Sequence, residues 1–312
     1  MKTAFLFPGQ GAQFVGMGKD ICEKYEEANK IYEQASKILE MDIKKMCFEG
    51  TEEELNKTQN TQIGIAVTSL AILEVLKSRG IRADASVGLS LGEYVALIYS
   101  GYISFEEGMK LLERRGFYMG NYLPEGNFEM AAVIGVDSSA IEKVCEKIRE
   151  DGKFVVPANY NYSDQTVISG ESEGIEKAIV ELNNLNAKRV IKLKTSGPFH
   201  TEKLNKAKEL FSRELENVHF SINENKVIKN IDGEFYCKND SAKDILANHI
   251  VSPVRFDRAI KKMKTEKIDT YVEIGPGKAL SGFVKKELKG EEIKVYAISD
   301  VKSLEEFLES VN

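Results

Sequence analysis

The sequence has only four cysteines, three histidines and no surplus of positive charge, and each shortage removes a class of function. Cys22, Cys47, Cys145 and Cys237 are far apart and form no short paired spacing. They therefore suggest neither a zinc cage nor the disulfide framework of a secreted domain, and reduced thiols in a cytoplasmic protein are the plain reading. A formal charge of −6 argues against a general nucleic-acid binder, because neutralising phosphates calls for a basic surface. The apolar run near Met1–Pro8 is too short for a signal peptide, and no later stretch reads as long enough to span a bilayer, so no membrane partner is expected.

What is present is a chain of 312 residues, 42% hydrophobic, which is enough for one large domain or for a domain carrying an insertion. Thr3–Phe7 reads as a buried strand stopped by Pro8 and Gly9, with helical spacing from there through Leu39. Thr51 with Glu54 and Ser104 with Glu107 make capping boxes, and Ile63–Leu76 is apolar enough for a buried helix. Asp84–Leu89 is a short strand running straight into a helix over Gly92–Tyr99. Between about 128 and 194 the rhythm changes to β-α-β-β-α-β, the split βαβ order of a ferredoxin-like unit. The expected architecture is thus α/β, with a discontinuous large domain of residues 1–127 and 195–312 and an inserted small α+β subdomain of residues 128–194. Thr270–Ile274 is a late strand entering Gly275-Pro276-Gly277.

Gly88-Leu89-Ser90-Leu91-Gly92 is a G-x-S-x-G sequence between a predicted strand and a predicted helix. Small residues on either side let strand and helix approach, and the turn exposes the serine hydroxyl while leaving the Leu91 amide at a helix N-terminus, where an oxyanion would form. A glycine-flanked serine also serves as a plain helix cap, and the strand-to-helix context is what favours a nucleophile. A serine needs a base. Of His200, His219 and His249, His219 lacks any turn or glycine context, whereas His200 follows the turn Thr195-Ser196-Gly197-Pro198-Phe199 leaving a strand. On position alone a satisfied loop histidine accounts for His200 equally well.

Gly9-Gln10-Gly11-Ala12-Gln13 invites comparison with phosphate loops, but Phe14 and Gln13 stand where those fingerprints need glycine. A close-approach turn offering the Gln10 amide to an oxyanion is the functional reading, although from these residues alone an ordinary strand-end turn is preferred. Arg115 sits on a helix turned to the core by Leu111, Leu112 and Met119. Helix arginines are usually solvated, but one aimed into a pocket holds a substrate carboxylate by two charge-assisted bonds.

Taken in order, these segments resemble the malonyl-CoA:acyl-carrier-protein transacylase family over essentially the whole chain. The motifs are Phe7-Pro8-Gly9-Gln10-Gly11-Ala12-Gln13, Gly88-Leu89-Ser90-Leu91-Gly92-Glu93, Arg114-Arg115-Gly116, Gly197-Pro198-Phe199-His200, Ser252-Pro253-Val254-Arg255-Phe256 and Glu273-Ile274-Gly275-Pro276-Gly277. The resemblance implies a hydrolase-like α/β core with a parallel sheet. It further implies Ser90 as nucleophile, His200 as base, the amides of Gln10 and Leu91 as oxyanion hole and Arg115 as carboxylate clamp, with Phe199 the form associated with malonyl selectivity. The implied reaction moves malonyl from malonyl-CoA through a seryl ester to the phosphopantetheine thiol of acyl carrier protein in fatty-acid biosynthesis. It uses no cofactor, since both thiol carriers are substrates. Leu89 stands where the family often has histidine. His249 stands where it often has glutamine; the family's backbone carbonyl at that position orients the base, and the ring is a candidate second base. Because carrier proteins in the family are acidic, Lys188, Arg189, Lys192 and Lys194 are expected to form a docking patch. The rival readings are a polyketide-pathway acyltransferase, a serine acyl hydrolase and a silent binding module.

Overall fold

The structure, a computed structural model, describes residues 2–195 and 197–311. One five-stranded sheet is built from β1 (Thr3–Phe7), β2 (Ala85–Gly88), β7 (Lys226–Val227), β9 (Thr270–Ile274) and β10 (Lys294–Ile298). They are ordered β10-β9-β1-β2-β7 and all parallel. Every residue of β1, β2 and β9 is buried, as expected for parallel strands covered on both faces. The bounds of β1 and β9, and of the helix Gly92–Tyr99, fall where the sequence places them.

The second sheet contains β3 (Phe128–Ile134), β4 (Val155–Tyr162), β5 (Gln165–Glu171) and β6 (Arg189–Lys192), with helices Ser138–Glu150 and Ser172–Asn184 between them. The β-α-β-β-α-β order is therefore present. β4 is irregular, with register shifts at Pro157/Asn159 and Tyr160/Tyr162. Irregularity at a proline is what a strand interior demands, since proline cannot donate to the ladder. The sheet order is β6-β3-β5-β4-β8, in which β8 (Val254–Arg255) comes from outside residues 128–194 and pairs in parallel with β4.

One expectation is corrected. The helix Thr58–Ser78 is, by length and composition, apolar enough to cross a membrane, yet 83% of its apolar window is buried inside the protein. It reads as all-round hydrophobic because it lies in the middle of the core, packed on the helices Glu26–Leu39 and Phe105–Asn121. Gly116 makes the second of these contacts possible: a β-carbon there would lie 2.6 Å from the Gln59 Cα. Both expected caps form, Thr51 on the short helix Glu52–Leu55 and Ser104 on Phe105–Asn121. Thr51 accepts from the Glu54 amide, and Ser104 and Glu107 make the full reciprocal box.

Ile65, fully buried on the core helix, tests that assignment. Ile65→Ala is expected to cost about 2–5 kcal/mol, read as a lowered urea midpoint at unchanged slope.

Candidate active site

The elbow is created by backbone contact. A β-carbon on Gly88 would sit 1.8 Å from the Gly92 carbonyl carbon, and one on Gly92 would sit 2.2 Å from the Phe7 carbonyl oxygen. With strand and helix this close, the chain between them has to turn through the left-handed region, and Ser90 takes φ 55°. A non-glycine residue pays on the order of 1–2 kcal/mol for that conformation, which persists only where the surroundings fix it. His200 is in the same region, at φ 60°. Two of the five non-glycine residues with positive φ among those described are thus the serine and histidine singled out from sequence.

The structure brings that pair together. Ser90 Oγ is 2.8 Å from His200 Nε2, and His200 Nδ1 is 3.0 Å from the carbonyl oxygen of His249. A carbonyl only accepts, so Nδ1 carries the proton and Nε2 is free to accept from the serine hydroxyl. Burial pushes the His200 pKa from 6.5 down to about 3, with the Arg115 cation acting in the same direction and the backbone at His249 and Ser252 opposing. The imidazole is neutral at physiological pH.

Arg115 is fully buried and points into the site. One terminal nitrogen donates to Gln62 Oε1 at 2.7 Å and the other to Ser90 Oγ at 3.0 Å, while the guanidinium lies 5.5 Å from the Tyr94 ring centre. Its Nε has no hydrogen-bond partner among the described residues. Burial lowers its pKa from 12.5, and Tyr94 and Glu93 counter the loss. Leu91 caps the helix Gly92–Tyr99 and is buried, so its amide belongs to the unpaired donors of a helix N-terminus. The Gln10 turn lies against the elbow, since a β-carbon on Gly9 would be 2.7 Å from the Leu89 carbonyl oxygen. Leu89 packs on the apolar cluster of the parallel sheet. Phe199 is buried beside His200, and Ser196 of the preceding turn lies outside the described residues.

His249 enters through its backbone. Its ring is fully buried, stacks on His200 with centroids 5.1 Å apart, and has no hydrogen-bond partner at either nitrogen among the described residues. Burial, then His200 and Arg115, hold its pKa well below 6.5. The expected basic patch is partly neutralised: Lys192 is paired with both Glu129 and Glu176, and Lys188 with Asp164. Sequence reasoning assigned no role to Gln62, Glu93, Asn230 or Tyr236. Asn230 accepts from the Ser90 amide at 2.8 Å and donates to the Gly88 carbonyl at 2.7 Å. These contacts span about 140 positions and leave no local pattern to read.

A serine on such an elbow, over a parallel α/β sheet and in contact with a neutral imidazole, defines the class as the α/β enzymes that carry acyl groups on a side-chain oxygen. The sequence profile of the acyl transferase domain matches residues 4–307. The malonyl CoA-acyl carrier protein transacylase of Bacillus subtilis is 40% identical over 304 residues, 97% of this chain and 95% of that protein. A solved malonyl CoA-acyl carrier protein transacylase from Clostridium perfringens superposes with a TM-score of 0.95 at 41% identity, covering 100% of this chain and 97% of that one. A malonyl-transacylase in complex with a type II polyketide synthase acyl-carrier protein gives 0.94 at 32%, covering 99% and 100%. The chain belongs to the malonyl CoA-acyl carrier protein transacylase family of acyl transferases.

Two measurements check this geometry. Gly88→Ala forces a β-carbon into backbone and is expected to cost about 3 kcal/mol or more, seen in urea titrations. Because the folded His200 pKa of about 3 lies below the ordinary 6.5, the unfolded chain takes up the proton first on acidification. Its stabilising contribution is therefore complete above pH 6.5 and lost as the pH falls towards 3. His200→Ala is expected to flatten that part of the stability profile; an unchanged slope refutes the buried neutral imidazole.

Proposed function

We propose that the protein moves a malonyl group from malonyl-CoA, through an ester on Ser90, to the phosphopantetheine thiol of an acyl carrier protein, supplying fatty-acid synthesis. The observation that carries this reading is Ser90 Oγ lying between the His200 imidazole at 2.8 Å and the Arg115 guanidinium at 3.0 Å. A nucleophile beside a base makes an acyl enzyme. A buried cation beside that nucleophile selects an acyl group bearing its own carboxylate.

His200 Nε2 takes the Ser90 proton as Oγ attacks the thioester carbonyl. The negative oxygen of the tetrahedral adduct faces the amides of Gln10 and Leu91, each worth about 3 kcal/mol. The carbon–sulfur bond breaks, coenzyme A leaves and takes the proton from Nε2, and Arg115 holds the distal carboxylate of the seryl malonyl ester. The carrier thiol then gives its proton to Nε2 and attacks the ester, restoring Ser90. Kinetics of this kind are ping-pong. No resident cofactor is needed, as both thiols are substrates. The same reading makes the chain cytoplasmic, in keeping with its four free cysteines.

The complex of a similar malonyl-transacylase with a polyketide carrier favours one second reading, in which the acceptor serves a polyketide pathway. Presenting the acyl enzyme with carriers of both kinds separates the two by rate.

Intact-protein mass spectrometry after incubation with malonyl-CoA is expected to show one malonyl adduct that a carrier thiol discharges, and none in Ser90→Ala. Rapid release of free malonate without carrier instead identifies a hydrolase. Arg115→Ala is expected to slow malonylation about 100-fold, the equivalent of about 3 kcal/mol for a buried charge-assisted contact, while acetylation from acetyl-CoA changes far less.

A further inference from the structure

Behind Ser90 and His200 lies a carboxyl group that reaches neither substrate nor solvent. Glu93, in the first turn of the helix Gly92–Tyr99, is fully buried. Its Oε1 accepts from the Tyr236 hydroxyl at 2.6 Å and its Oε2 from the Asn230 amide at 3.2 Å; Oε2 is also 3.3 Å from His249 Nδ1. Both of the last two neighbours continue to the reacting groups. The Asn230 side chain bonds the Ser90 amide and the Gly88 carbonyl, gripping the elbow on both sides of its turn. His249 presents the carbonyl that receives His200 Nδ1.

We propose that Glu93 is a positioning residue for both halves of the site, fixing the elbow through Asn230 and the base through His249. The inference rests on the reading of Ser90 as nucleophile and His200 as base. Its physical ground is strain. Both of those residues hold a left-handed backbone, and such conformations survive only where several contacts agree on them. A buried carboxyl is costly unless its lone pairs are filled; here the Tyr236 hydroxyl and the Asn230 amide fill them, and the His249 ring lies against Oε2 at 3.3 Å. A hydrophobic side chain of similar size would pack as well but would leave the Asn230 amide without its acceptor, freeing the elbow's clamp to move.

The charge of Glu93 also matters. Burial pushes its pKa from 4.5 up to about 7, while the Tyr236 hydroxyl, the Asn230 amide and the Arg115 cation pull it down and Asp232 raises it further. Tyr94 and the neutral His249 complete the ionisable groups around it. His200 and His249 are both held below their ordinary range, so of the groups in this cluster Glu93 is the one that changes charge near neutrality.

The test uses the whole enzyme and two variants. Glu93→Gln keeps an acceptor for the Asn230 amide and can donate to the Tyr236 oxygen, but has no charge. Expected are a kcat about fivefold lower, the equivalent of one weakened hydrogen bond, KM for malonyl-CoA within about twofold, and an inflection near pH 7 in the kcat of the parent that the variant lacks. Glu93→Leu is expected to lower kcat about a hundredfold, as for misplaced reacting groups, with the burst of Ser90 malonylation slowed equally. Rates are divided by the sites that acylate to completion, so that a variant folding in lower yield is not counted as slow. Should Glu93→Leu fail to fold, Glu93→Gln alone decides. Parental kcat per active site with a parental pH profile in Glu93→Gln overturns the proposal. Absence of a malonyl adduct on Ser90 in the parent overturns the underlying reading instead, so the two failures are distinct.

Discussion

The molecule depends on a place where three stretches of backbone touch. The end of β1, the end of β2 and the start of the helix Gly92–Tyr99 are packed so closely that no β-carbon fits at Gly88 or Gly92. That contact forces the turn between them into the left-handed region at Ser90, and the turn in turn lifts the hydroxyl off the sheet toward His200 and Arg115. The strained residue is stabilised from outside the turn, by the Asn230 side chain on its amide. Sequence, backbone geometry and chemistry are linked here by steric exclusion first and by polar contacts second.

The electrostatics follow a different logic from that of a serine site with an acidic third member. The His200 imidazole is oriented by a carbonyl, which fixes the tautomer without adding negative charge beside the ring. A buried cation stands on the other side of the Ser90 hydroxyl. Desolvation and that cation act together to keep the imidazole neutral, so its Nε2 can accept a proton at neutral pH. The guanidinium, fully enclosed, has one nitrogen unpaired and no carboxylate bonded to it among the described residues. An acyl group carrying one supplies what the protein leaves out, so the charge balance of the pocket is completed by the proposed substrate.

Much of this was legible in the sequence, for reasons that can be named. β1 and β9 were readable to the residue because buried parallel strands are continuous apolar runs, here stopped by Pro8 and by Gly275. The elbow was readable because glycine spacing records close approach. His200 was reachable mainly through elimination among three histidines and through family resemblance, since a loop position alone carries little information. Other features were hidden. β7 and β8 are two residues each, too short to show a period, and β10 was not anticipated. The core helix escaped notice as membrane-like because polar residues such as Thr61, Gln62 and Thr68 interrupt its apolar surface; in the fold they are buried. Gln62 and Asn230 act through single long-range bonds, which leave no trace in neighbouring residues. For His249 the family resemblance pointed to the carbonyl that bonds His200, and the structure shows that contact.

The small subdomain looks in sequence like a cassette with clean ends, but its sheet is finished by β8, borrowed from a segment some sixty residues beyond the insertion. β8 follows shortly after His249 and Ser252, whose backbone bonds His200. The two sheets therefore share a seam at the reacting centre. A graft that exchanges residues 128–194 with a relative's would import four strands of a five-strand layer and leave the fifth behind. Recombination between such enzymes is better drawn with 254–255 travelling alongside the insert, so that the edge of the foreign sheet meets the strand it was built to receive.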